Sequence, residues 1–158
     1  MFRELTRKNK QLSNDDCINI LINEKRGVLS VNGDGEYPYG IPMNHFYNIT
    51  DGCIYFHSGK GGHKLDSLKV SNKVSYCVYN QGYQNSGEWA LNIKSVIVFG
   101  TAEIIDDTAL ITDICEKLSR KFTDDTEYIE TEIRNYAKNT LLIRLNPEHI
   151  CGKAIKES

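Results

Sequence analysis

The sequence predicts a β-rich α+β fold, a barrel-like sheet with helices at its ends. Three observations carry this. Lys73–Tyr79 alternates strictly, with Val74, Tyr76 and Val78 on one face and Ser75, Cys77 and Tyr79 on the other, the period-2 pattern of a half-buried strand. Turn signals such as Asn32-Gly33-Asp34-Gly35 and Thr50-Asp51-Gly52 punctuate further short apolar runs, because Gly and Asn tolerate the backbone of tight turns. Apolar residues recur at helical spacing near the start of the chain and again, twice, late in it. The order is helix, several strands, two helices, then strand, which places helices at the ends of one sheet.

Taken in order, the first helix starts at Ser13 or Asn14. Ser13 can accept from free N–H groups, and Asp15 and Asp16 suit the positive end of the helix dipole. Cys17, Ile18, Leu21 and Ile22 mark its apolar face. A strand over Arg26–Val31 follows, then the Asn32–Gly35 turn. Tyr37–Lys64 reads as a strand, a turn, a second strand and a glycine-rich entry into a helix. Pro38 and Pro42 cannot donate to a ladder, so the first of these strands is an edge or is bulged. Leu65 and Leu68 face inward from a short helix ending near Val70.

Trp89–Ile105 is a long strand region, and Val96-Ile97-Val98-Phe99 predicts burial on both faces. Gly100 marks a bulge or a close approach. Asp106-Asp107 opens a helix with Leu110, Ile111, Ile114 and Leu118 on one face. A further helix runs from about Asp125 to Lys138, and the two can pack as an antiparallel pair. Leu141–Leu145 is a last core strand that Pro147 ends, with a short strand over His149–Lys153.

The 158 residues fit one domain, residues 1–158, with 40% hydrophobic and 25% charged side chains. Nineteen basic and 21 acidic residues leave a net charge of −2, without the basic excess that marks nucleic-acid binding. The basic run Arg3–Lys10 reads as a solvated arm. No apolar run approaches the roughly 18 residues of a membrane span, and no signal peptide is expected. The five cysteines are odd in number and form no C-x-x-C pair, arguing against disulfides and zinc and for a cytoplasmic protein with reduced thiols.

The candidate chemistry lies around Gly59-Lys60-Gly61-Gly62. A helix start there offers free backbone N–H groups, and Lys60, His63 and Lys64 add donors, the elements of a phosphate cradle. A flexible connection with solvated lysines is the alternative. The loop is neither a Walker A nor a dinucleotide-binding G-x-G-x-x-G motif. The four histidines, His45, His57, His63 and His149, match no common metal spacing. Trp89, beside a polar loop, suits a ring-facing or dimer-contact role.

Three motifs occur in order: Tyr37-Pro38 with Pro42-Met43-Asn44; Tyr55-Phe56-His57-Ser58 with Gly62-His63-Lys64-Leu65-Asp66; and Ser95-Val96-Ile97-Val98-Phe99-Gly100. Together they resemble the pyridoxamine 5′-phosphate oxidase-like flavoprotein superfamily, in particular its 5-nitroimidazole resistance branch. The resemblance implies a six-stranded Greek-key antiparallel split β-barrel with flanking helices, binding FMN at a homodimer interface. It implies that Ile41, Pro42, Met43 and Asn44 lie along the flavin ring and that His57 and Ser58 sit beside the ring and the phosphate chain. Lys64 would hold the phosphate, with Gly62 allowing close approach, and Ser95 and Val96 would contribute across the interface. The arginines, Arg3, Arg7, Arg26, Arg120, Arg134 and Arg144, all lie outside these motifs, which speaks against pyridoxamine phosphate as substrate. Lys94 stands where relatives often carry arginine.

The expected function is an FMN-dependent oxidoreductase passing electrons from a reduced nicotinamide to a small acceptor such as a nitroaromatic. The alternatives are a flavin carrier, store or sensor, or a relative holding haem, with His149 as axial ligand, or a deazaflavin. No metal site, nucleic-acid partner or membrane partner is expected, and no side chain stands out as acid or base.

Overall fold

Ser13 starts the first helix as its chemistry dictates: its side chain accepts from the Asp16 N–H at the head of α1, Asn14–Asn23. Cys17, Ile20 and Leu21 are buried from this helix. The computed structural model describes residues 1–157. Eight strands follow one another in the chain: β1 Arg26–Asn32, β2 Pro38–Asn44, β3 Phe46–Asn48, β4 Cys53–Gly59, β5 Lys73–Tyr79, β6 Tyr83–Gln84, β7 Leu91–Ile105 and β8 Thr140–Glu157. Six of them are seven residues or longer; β3 and β6 are short. Helix α2, His63–Val70, lies between β4 and β5, and α3, Thr108–Arg120, and α4, Thr126–Tyr136, lie between β7 and β8.

All strands join one antiparallel sheet in the order β2-β1-β5-β7-β8-β4-β3, with β6 on β7. The two ends of this order, β2 and β3, are separated in the chain only by His45. One intervening residue spans at most about 7 Å, so the sheet must curl until its ends nearly meet. The barrel is thus closed by the chain itself, with no ladder between β2 and β3. The curl encloses a core that includes Leu29, Ile54, Phe56, Tyr76, Val96, Val98 and Ile143, with α1 and α2 packed into it. Burying each large apolar side chain contributes about 1.5–3 kcal/mol. A smaller cluster of Cys53, Tyr55, Ile111, Ile114 and Leu142 seats α3 on the opposite face of β4 and β8.

Three expectations need correction. The first strand of the Tyr37–Lys64 stretch breaks in two at His45: β3 forms a hairpin with β4 across the Thr50–Gly52 turn, whereas β2 pairs with β1 and β4 pairs on its other side with β8. As an edge strand, β2 does tolerate Pro38 and Pro42. The Val96–Phe99 run is buried on one face only, because Ile97 is 36% exposed and Phe99 is half-buried. Pro147 does not end its strand. It falls at a shift in register opposite Gly100, Glu148 is the residue left without a partner, and β8 continues past it. A Cβ on Gly100 would collide with the Asn146 carbonyl, which is the close approach that this glycine permits. The turn expected over Asn32–Gly35 does join β1 to β2, with Gly35 at positive φ and Glu36 beside it in the same region.

His45 occupies the barrel's corner and is fully buried. Its Nε2 lies 2.7 Å from the Leu21 carbonyl, which assigns the proton to that nitrogen. Nδ1 then accepts, and the Tyr76 hydroxyl lies 2.8 Å from it and 3.0 Å from the Met43 carbonyl. One hydroxyl proton serves both acceptors. The His45 N–H donates to Lys25, and Lys121 Nζ donates to the His45 and Glu24 carbonyls. Burial, then the Lys121 ammonium, pushes the imidazole pKa down to about 4. Burial likewise lowers that of Lys121 to about 8.

Candidate functional site

The end of β4, the start of α2 and the end of β2 converge at the gap between the barrel's two ends. Gly62 precedes α2 with φ 114°, and a Cβ at Gly59, Gly61 or Gly62 would meet open space. No side chain caps α2. Leu65 and Asp66 donate to the Gly62 carbonyl, whereas the N–H groups of His63 and Lys64 make no hydrogen bond among the described residues. Such an uncapped start, with the positive end of the helix dipole behind it, attracts an anion.

Lys64 reinforces this. Burial lowers its pKa, and no carboxylate lies within salt-bridge distance among the described residues. Its Nζ touches Met43 Sδ at 3.6 Å, across the gap. The neighbouring basic groups differ. Lys60 is 3.9 Å from Asp106, and His63 is 3.4 Å from Asp34 while its ring stacks on Tyr39 at 4.3 Å. A half-buried ammonium without a counterion is an open anion site, because burial without a partner is costly.

His57 emerges from β4 beside Lys64. Partial desolvation, then the Lys64 charge, holds its imidazole below the usual histidine pKa, so it is neutral at pH 7 and can donate from one nitrogen and accept at the other. Ser58 points the other way and is buried. On β2, Met43 is buried, Ile41 and Asn44 are half-buried and Pro42 is exposed. Asn44 Oδ1 is buried without a hydrogen-bond donor.

The structure therefore brings together Met43, His57, Gly62 and Lys64, with Ile41, Pro42 and Asn44 along the adjoining edge strand. It does not bring Ser95 and Val96 to them within one chain. Val96 is fully buried in the core, and Ser95 lies on the opposite face of β7, in the centre of the sheet, between Tyr79 and Lys153. Lys94 is paired with Asp16 at 3.6 Å. Trp89 is 75% exposed.

Sequence reasoning passed over Arg26. The β1–β2 register sets it directly opposite Asn44. With Lys25, Pro42 and Tyr79 it lines a groove of about 610 Å³, and it has no carboxylate partner among the described residues. Only the register could have disclosed it, since the residue stands well outside the motifs. A second cavity, about 430 Å³, lies between His57 and Ser58 on β4 and the α3–α4 pair.

The curled antiparallel sheet, open between β2 and β3 and carrying an anion-ready helix start at that opening, defines a split-barrel protein. The sequence profile of the family described as pyridoxamine 5′-phosphate oxidase matches residues 13–154, and the chain belongs to that family. Solved structures agree in fold. A candidate 5-nitroimidazole antibiotic resistance protein from Bacteroides thetaiotaomicron superposes with TM-score 0.76 at 20% identity, over 93% of this chain and 87% of that one. A FAD-binding protein from Mesorhizobium loti gives 0.66 at 22% identity over 92% and 97% of the two chains. Another, from Mycobacterium smegmatis, gives 0.63 at 18% over 92% and 98%. No curated protein sequence matches the chain. Among the described residues, no helix is long and apolar enough to cross a membrane.

Proposed function

We propose that the chain binds a flavin, FMN, and works as a cytoplasmic oxidoreductase. The observation that carries this is the Lys64 ammonium, half-buried, without a counterion, beside two free N–H groups. These groups suit a terminal phosphate monoester. Asn44 Oδ1 suits a ring N–H, and the apolar Ile41–Met43 edge suits the face of a flat ring. When bound, the flavin supplies the redox chemistry, taking a hydride from a reduced nicotinamide and delivering electrons to a small acceptor such as a nitroaromatic. The residues of this chain bind and orient it, and neutral His57 offers a hydrogen bond beside it.

Ser95 lies away from Lys64 within one chain, so its contribution requires a second copy, whereas Val96 is buried in the core and has no surface to offer one. A homodimer with the flavin between copies is part of the proposal. The exposed Ile97 and Tyr79 on the outer sheet face favour such an interface.

FAD is the second reading, favoured by the FAD-binding neighbours and by the unpaired Arg26 beside the groove at Pro42. Titrating the purified protein with FMN and with FAD, followed by flavin fluorescence, separates the two. Bleaching by NADH or NADPH without oxygen, then reoxidation by a nitroaromatic, tests turnover. Protein that takes up neither flavin would sink the proposal.

A further inference from the structure

The cavity between the α3–α4 pair and the end of β4 is lined by three exposed aromatic residues, Phe122, Tyr128 and Tyr136, which are 46%, 57% and 59% exposed. Three such residues at one cavity stand out, because exposed apolar clusters mark binding sites. His57 and the chain at Ser58 also line it, and its remaining wall is largely apolar, with Ile129 and Ile133. The volume of about 430 Å³ is that of a small-molecule site.

Its charge is one-sided. Glu132 lines the cavity, whereas no lysine or arginine does. Glu132 has no cation within salt-bridge distance among the described residues. Lys25 holds its ammonium 5.2 Å from the Phe122 centroid but does not line the cavity. Aromatic faces and an unpaired carboxylate attract flat cations and tolerate neutral rings, and they repel carboxylates and phosphates.

We propose that this cavity is the second-substrate site, taking a flat neutral or cationic ring compound, with Glu132 setting the charge preference and the three aromatics providing the faces. It shares His57 with the Lys64 site, so the two ligands would meet at that side chain. The role as second substrate rests on the flavin reading; the binding itself does not.

Three probes of nearly equal shape test it: benzamidine, benzamide and benzoate, titrated into the full chain and read by protein NMR shifts, with FMN affinity measured separately. Benzamidine should bind about tenfold more tightly than benzoate, with benzamide between them. Glu132→Gln should bring that ratio close to one, and Ser119→Phe should remove binding of all three; Thr123→Trp serves if the first filled variant does not fold. Binding with the expected ratio in protein that takes up no flavin would support the cavity while refuting the flavin reading. Equal binding of benzoate, an unchanged ratio in Glu132→Gln, or retained binding in a folded filled variant would overturn the proposal. So would loss of FMN affinity in Glu132→Gln, because the cavity would then belong to the flavin.

Discussion

The Tyr76 hydroxyl sits 2.8 Å from His45 Nδ1, joining the interior strand β5 to the single residue that links the two ends of the sheet. The same hydroxyl donates to the Met43 carbonyl, and Met43 touches Lys64. The corner of the barrel and the candidate anion site are therefore mechanically continuous. Tyr76→Phe should leave both acceptors without a donor and cost about 1–3 kcal/mol, measured by urea unfolding. A loss well below this would mean that the shared proton contributes little.

The same corner makes the fold sensitive to acid. His45 takes up a proton near pH 6.5 when unfolded but only near pH 4 when folded. Between those values the unfolded chain holds more protons, so stability falls as the pH is lowered through this window. It should decline by about 3 kcal/mol in all from this group. Denaturation midpoints at pH 7, 5.5 and 4 should show the decline, and His45→Gln should flatten it within that window despite its own cost. A flat wild-type profile would contradict this.

Lys121 tests the corner from the other side. Lys121→Met leaves the Glu24 and His45 carbonyls without their donor, a loss of about 1–3 kcal/mol. It also removes a cation that disfavours imidazolium, so the His45 pKa should rise. An NMR titration of the His45 ring protons reads this directly, and a fall would show that the charge acts otherwise.

At the candidate site, Lys64→Ala should weaken FMN binding about ten- to a hundredfold, as expected for loss of a charge-assisted phosphate contact. Lys60→Ala should change it far less, because Lys60 is more exposed and faces Asp106. Fluorescence titration of both variants checks the contrast; equal effects would point to diffuse charge rather than a cradle.

Gly100→Ala should destabilise by about 1–3 kcal/mol or more, because its Cβ meets the Asn146 carbonyl, a backbone atom that cannot swing aside. Thermal unfolding would reveal this. A neutral result would mean that the bulge relaxes freely.

Much of this was legible in local chemistry. Ser13, Asp107 and Asp125 all cap the helices that their side chains announce, and the alternation in Lys73–Tyr79 is the observed burial pattern. What was hidden depended on partners. Pro147 reads as a stop, yet the bulge opposite Gly100 absorbs it. Ile97 and Phe99 read as core, yet only their neighbours Val96 and Val98 face inward. His45 carries no sign of being a corner until the strand order is known. The same holds for the site. Gly62 and Lys64 stand together in the chain, but Met43 reaches Lys64 by curling, Arg26 reaches Asn44 by register, and Glu132 comes to the same cavity as His57 through helix packing.

The position of β8 has a consequence for how the chain folds. It alone joins β2-β1-β5-β7 to β4-β3 in the ladder, and it follows every other strand in the sequence. Until residues 140–145 have left the ribosome, β4 has only three-residue β3 beside it in the ladder, and the two parts are joined in the chain only at His45 and through α2. Pairings so distant in sequence form slowly, because loop closure precedes any reward in contacts. The barrel therefore cannot close before β8 has been made, and its core strands stay exposed to chaperones and to one another until then.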